Sequence, residues 1–234
     1  MFGNPALNES TFKKTKPAAR QMTTRGTVQK TALLVLLTAL SAANALILMS
    51  LGIVPLTSVT IGAALTAFVV AIFTIRKPER AVWSGMLYAV LEGVALGGAT
   101  LAAEQASPGV ALPTLVVTFM VVGIMLAIWR TGSIPVTPEF AQVMFVAVSA
   151  ILGTYVFSGL MWALGLPAVW MHANPVLNIV APVVAALCLF IDFDNVRQGV
   201  ENKAPAHMEW YAAFGITVTI CWLYIELLGS MSDS

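Results

Sequence analysis

The chain is 234 residues long, 59% hydrophobic and only 10% charged, with a formal net charge of +1 and a mean hydropathy of +0.87. Soluble globules carry charge on about a quarter of their residues, so a water-soluble domain is excluded. Several apolar runs of membrane-crossing length predict instead an all-α membrane protein: one bundle of seven transmembrane helices, not several domains.

Residues 1–30 are polar and hold Lys13, Lys14, Lys16, Arg20, Arg25 and Lys30. They have no apolar core near Met1, so they are not read as a cleavable signal peptide. They predict a basic cytoplasmic tail, either a topology signal or a docking tail for a partner protein or anionic lipid. The bundle is expected over residues 31–230, with a short external tail at 231–234.

The first span is expected near residues 31–51 and the second near 56–75, after a turn around Gly52 and Pro55. Ala63, Ala67 and Ala71 recur every four residues in the second, a small stripe that lets a neighbouring helix approach. The third span, residues 81–103, carries Glu92 about 16 Å deep at the helical rise of 1.5 Å per residue. Tyr88 stands one turn before Glu92, and Gly93 and Gly97 make a GxxxG step beside it. Glu92 reads either as a proton or cation site or as a protonated structural acid bonding across helices.

The fourth span is expected at residues 110–129 and the fifth at 140–164, with a Pro- and Gly-containing turn between them. The loop 165–174 holds Trp170, an interface marker, and His172, read as solvent-facing. The sixth span is expected at 175–191, with Pro182 inside it, and the seventh at 210–228. Cys188 and Cys221 lie within spans at different depths, so neither a bridge nor a metal motif is expected.

All twelve Lys and Arg fall in the tail or after spans two, four and six. That is a positive-inside pattern for seven helices, with the N-terminus in and the C-terminus out.

Carboxylates against hydrocarbon cost about 2.5–3.5 kcal/mol each at a helix centre, so Asp192, Asp194, Glu209, Glu226 and Glu92 are the candidate functional acids. Asp192 and Asp194 point about 200° apart on a helix. Asp194 stands three residues before Arg197 and suits a surface ion pair, which leaves Asp192 as the buried acid. Gly215, Thr219, Trp222 and Glu226 form one stripe expected to face the bundle. Glu209 begins the seventh span at the cytoplasmic side, which suggests a pair of Asp192 with Glu209 or, second, with Asp194. Such a pair shares a proton, and its oxygens are hard ligands suited to Ca²⁺. The alternative is that Asp192, Asp194 and Glu209 are interfacial caps and ion pairs.

The stretches NPALNESTF, RGTVQKTALLVLL, YAVLEGVALGG, WRTG and IDFDN…APAHMEWYAAFGITVTICWLYIELL resemble the YccA-like bacterial branch of the Bax inhibitor-one, or transmembrane Bax inhibitor motif, family. The resemblance covers nearly the whole chain. It implies a seventh helix surrounded by the other six, an inner-membrane location, and a pH-sensitive calcium leak closed by two acids on helices six and seven that share a proton. Asp192 matches the helix-six acid. The place of the helix-seven acid falls near Thr219, with Glu226 about two turns beyond and Glu209 well before. The branch is also associated with binding and modulating a membrane-anchored ATP-dependent protease.

The expected function is therefore a pH-sensitive calcium or cation leak gated by a membrane carboxylate. Its alternative is a non-catalytic modulator of such a protease, acting through the N-terminal tail. No HExxH, GxSxG, P-loop or Cys/His cluster supports an enzyme. The expected partners are the bilayer and, for the second reading, the protease. Ca²⁺ enters as transported ion rather than cofactor, and nucleic acid has no support beyond the basic tail.

Overall fold

The computed structural model describes residues 20–132, 134–165 and 175–232. Seven helices among them are long and apolar enough to cross a membrane. They are α1 (Thr24–Ser50), α2 (Leu56–Arg76), α3 (Ala81–Ala106), α4 (Ala111–Thr131), α5 (Pro138–Ala163), α6 (Pro175–Glu201) and α7 (Met208–Ser232). A single 3₁₀ turn, Pro78–Arg80, joins α2 to α3. In hydrocarbon a helix satisfies its backbone groups internally, which is why these apolar runs adopt no other form.

Two boundaries differ most from the sequence expectation. α1 starts at Thr24 rather than residue 31, because Thr23 caps it, its hydroxyl accepting from Gly26 N at 3.0 Å. Arg25 and Lys30 therefore belong to the helix and not to the tail. α6 continues past residue 191 to Glu201. Arg197 and Gln198 both donate to Asp194 one turn back, at 2.5 and 2.8 Å, so the acid is neutralised within the helix instead of ending it. The stretch 165–174, with Trp170 and His172, lies mostly outside the described residues, as do residues 1–19.

α1, α2 and α3 form a tight layer. A Cβ on Gly93 would run into the Thr38 carbonyl and Ser41, and one on Gly97 into the Ala42 carbonyl, so the GxxxG step brings α3 against the α1 backbone. The expected small stripe of α2 is buried at Ala63 and Ala67. α7 packs against α1, α3, α4 and α6, and reaches α5 through a hydrogen bond between Tyr155 and Glu226. Its centrality shows in burial: 56% of the apolar stretches of α6 and α7 is buried inside the bundle, against 11% for α2 and α4. The core centres on Tyr211, Phe214, Leu189 and Leu34.

The chain closes on itself at one end. Met22 N donates to Ala204 O at 2.7 Å and Ala206 N to Arg20 O at 2.9 Å. The segment before α1 is thus strapped onto the α6–α7 hairpin, with Met22 buried in the core. At the opposite end Ser107 donates to Ser232 O, joining the ends of α3 and α7.

Candidate functional site

Asp192 is fully buried, with no exposed surface. Its Oδ2 accepts a hydrogen bond of 2.5 Å from Thr219 Oγ1 on α7. Sequence reasoning expected Asp192 to be buried, as it is, and through resemblance marked Thr219 as the place on α7; it did not expect that Asp194 would be buried too. One turn towards the start of α6 lies Cys188, within electrostatic reach of Asp192. One turn the other way lies Asn195, buried, whose Nδ2 has no hydrogen-bond partner among the described residues. An unpaired buried amide costs about 1–3 kcal/mol, so Asn195 holds a donor ready for a water beside Asp192.

Asp194 is also buried, but its carboxylate is taken up by Arg197 and Gln198 of its own helix. Its predicted pairing with Arg197 is present. Arg197 is largely exposed, which puts this ion pair at the bundle's rim.

Glu209 sits in the first turn of α7 and is turned towards α1. It accepts from the backbone N and hydroxyl of Thr23, at 2.9 and 2.8 Å, and from the Lys30 ammonium. Lys30 also lies 5.6 Å from the ring centre of Trp210. A Cβ at Gly26 would meet the Glu209 carboxylate, so a side chain there would push that carboxylate off its Thr23 and Lys30 partners. The pairing of Asp192 with Glu209 suggested by the sequence placed both at one level. Because α6 runs on to Glu201, the residue across from Asp192 is Thr219, ten positions or about 15 Å along α7 from Glu209.

Glu226 lies about two turns beyond Thr219 on the same face of α7, as the stripe predicted. The Tyr155 hydroxyl stands 2.7 Å from both its carboxylate oxygens, and Trp222 Nε1 donates at 2.6 Å. Trp222 is its neighbour on the same stripe of α7, whereas Tyr155 was not singled out, because α5 comes next to this point only in the folded bundle.

Glu92 is partly buried on α3. Tyr88, one turn before it, and Cys221 of α7 both lie within its electrostatic reach. Tyr88 in turn meets Phe214 edge-on, with ring centres 5.1 Å apart. Thr219 and Cys221 point to opposite sides of α7. Asp192 and Glu92 therefore flank the central helix at one level, one on each side.

The polar groups thus form stations along α7: the Glu209 clasp at one end, Asp192–Thr219 and Glu92–Tyr88 at mid-depth, and Glu226–Tyr155–Trp222 towards the other end. Among the described residues no three His, Cys, Asp or Glu gather into a metal-holding group. Both cysteines are free. What the arrangement can do is hold and exchange protons, and offer isolated carboxylate oxygens to a passing cation.

The family model described as Bax inhibitor 1 like matches residues 4–232. No curated protein and no solved structure matches the chain.

Proposed function

Because the chain belongs to the Bax inhibitor 1 like family, we propose that it is a non-catalytic, pH-responsive cation leak of a bacterial inner membrane, with Ca²⁺ as cargo and Asp192 as the gating carboxylate. The observation that carries this reading is the fully buried Asp192–Thr219 bond across the α6–α7 seam. A threonine hydroxyl donates to a carboxylate and accepts from a carboxylic acid. Thr219 can therefore hold Asp192 with or without its proton, while the charge inside the seam changes by one unit. A bare charge in hydrocarbon draws in water or a cation, and the unpaired Asn195 amide beside it gives such water a donor. Glu92 and Glu226 provide further oxygens at and beyond that depth.

The test is Ca²⁺ influx into proteoliposomes across a pH series, wild type beside Asp192→Asn. The expected result is a pH-dependent influx that Asp192→Asn flattens. Equal flux in loaded and empty vesicles at every pH overturns the reading.

A second reading is favoured by the strap at Arg20–Met22. Whatever grips the basic tail pulls on a segment bonded to Ala204 and Ala206 of the α6–α7 hairpin. This supports a modulator of a membrane-anchored ATP-dependent protease that docks through residues 1–19. Co-purification with such a protease that survives deletion of residues 1–19 overturns this reading.

A further inference from the structure

α1 and α4 both pack on α7 and α3 but leave a gap between themselves. The gap is a groove of about 340 Å³, floored by Ile220, Cys221 and Tyr224 of α7 and by Gly97 of α3. It exists because α1 presents the small residues Ala39, Ala42 and Ala43 along this wall. Its size falls within the range of about 300–1,000 Å³ typical of ligand pockets.

The groove is apolar in its bonding as well as its surface. Thr38 donates to Leu34 O at 2.9 Å and Thr118 to Thr114 O at 2.8 Å. Thr100 donates to Leu96 O and is joined to the Tyr224 hydroxyl at 2.8 Å. These hydroxyls are occupied within the protein, so water finds too few partners to settle, and a cation finds no carboxylate among the lining residues. The cation stations described above therefore do not extend into this groove.

Its open side is continuous with the lipid-facing surface. Leu112 and Phe119 on the α4 wall are 69% and 47% exposed, and Leu40 beside the α1 wall is 60% exposed. The groove lies between the last half of α1 and the first half of α4, in the half of the bundle away from the α1 start. What meets it there is the hydrocarbon of one leaflet. We propose that this groove is a binding site for an acyl chain of a bilayer phospholipid, inserted sideways between α1 and α4 to rest on α7.

The experiment uses the full chain in phosphatidylcholine vesicles doped with a phosphatidylcholine that carries a diazirine midway along one acyl chain. After photolysis, labelled residues are located by peptide mass spectrometry. The expected result is several-fold more label on Leu112, Leu115 and Phe119 than on Leu65 and Phe68 of α2, which are 63% and 60% exposed but do not line this groove. Ala39→Phe, at an exposed position on the wall, is expected to bring the α4 labelling down to the α2 level. Equal labelling of α4 and α2 in the wild type overturns the proposal. So does an excess that Ala39→Phe leaves unchanged, or crosslinking through α1 and α4 to a second copy of the chain in place of lipid.

Discussion

Thr219 Oγ1 lies 2.5 Å from Asp192 Oδ2, across the seam between the two most buried helices. Both residues are shut away from the surface. A hydroxyl, not a second carboxyl, faces the acid that the family resemblance marks as the gate.

Thr219→Val keeps the shape and removes the donor. It is expected to cost about 1–3 kcal/mol, the usual result of stripping a partner from a buried polar group. Thr219→Ser restores the hydroxyl and should recover most of that loss. Thermal unfolding of the three proteins in one detergent checks the order, and a Val variant as stable as wild type contradicts it.

Tyr155 ties α5 to the central helix through Glu226. Tyr155→Phe and Glu226→Gln should each destabilise, and together should do so by less than the sum. A double-mutant cycle is expected to give a coupling of about 0.5–3 kcal/mol, as for residues in direct contact. Strict additivity would mean that the bond contributes nothing.

At Gly26, helix propensity and packing oppose one another. Alanine is better than glycine inside a helix by about 1 kcal/mol, but here its Cβ meets the Glu209 carboxylate. Gly26→Ala should therefore destabilise the wild type. In a Glu209→Ala background, where the obstruction is gone, the same change should be neutral or favourable. A sign that does not reverse between the two backgrounds would be the wrong outcome.

Gly93→Ala places a Cβ against the Thr38 carbonyl and Ser41. Overpacking of this kind costs about 1–3 kcal/mol, and the α1–α3 contact has backbone on one side, which yields least. Gly62→Ala on α2, where an added Cβ meets nothing within 4 Å, serves as the control. Detergent-denaturation midpoints should separate the two variants.

Much of this bundle was legible in the sequence because hydrocarbon imposes a simple rule: apolar runs of sufficient length become helices. The buried acid of α6, the Asp194–Arg197 pair, the small faces of α2 and α3, and the inward stripe of α7 all follow from spacing. What spacing does not hold is the partner across the bundle. Thr23 and Glu209 are 186 positions apart, and Tyr155 and Glu226 are 71 apart. The end of α6 was misplaced because two aspartates look like a membrane boundary until Arg197 neutralises one of them and Gln198 adds a hydrogen bond to it. That single extension moved the facing residue of Asp192 from the start of α7 to its middle.

The clasp at Thr23, Gly26 and Lys30 also bears on how the protein is made. Its partners are Glu209 and, for the neighbouring Arg20 and Met22, the backbone of Ala206 and Ala204; all of them leave the ribosome long after the residues they bond. Chains emerge N-terminus first, and contacts this distant in sequence close late. The bundle therefore stays unlatched throughout synthesis, with the α1 start waiting in place, and is sealed only when α7 arrives.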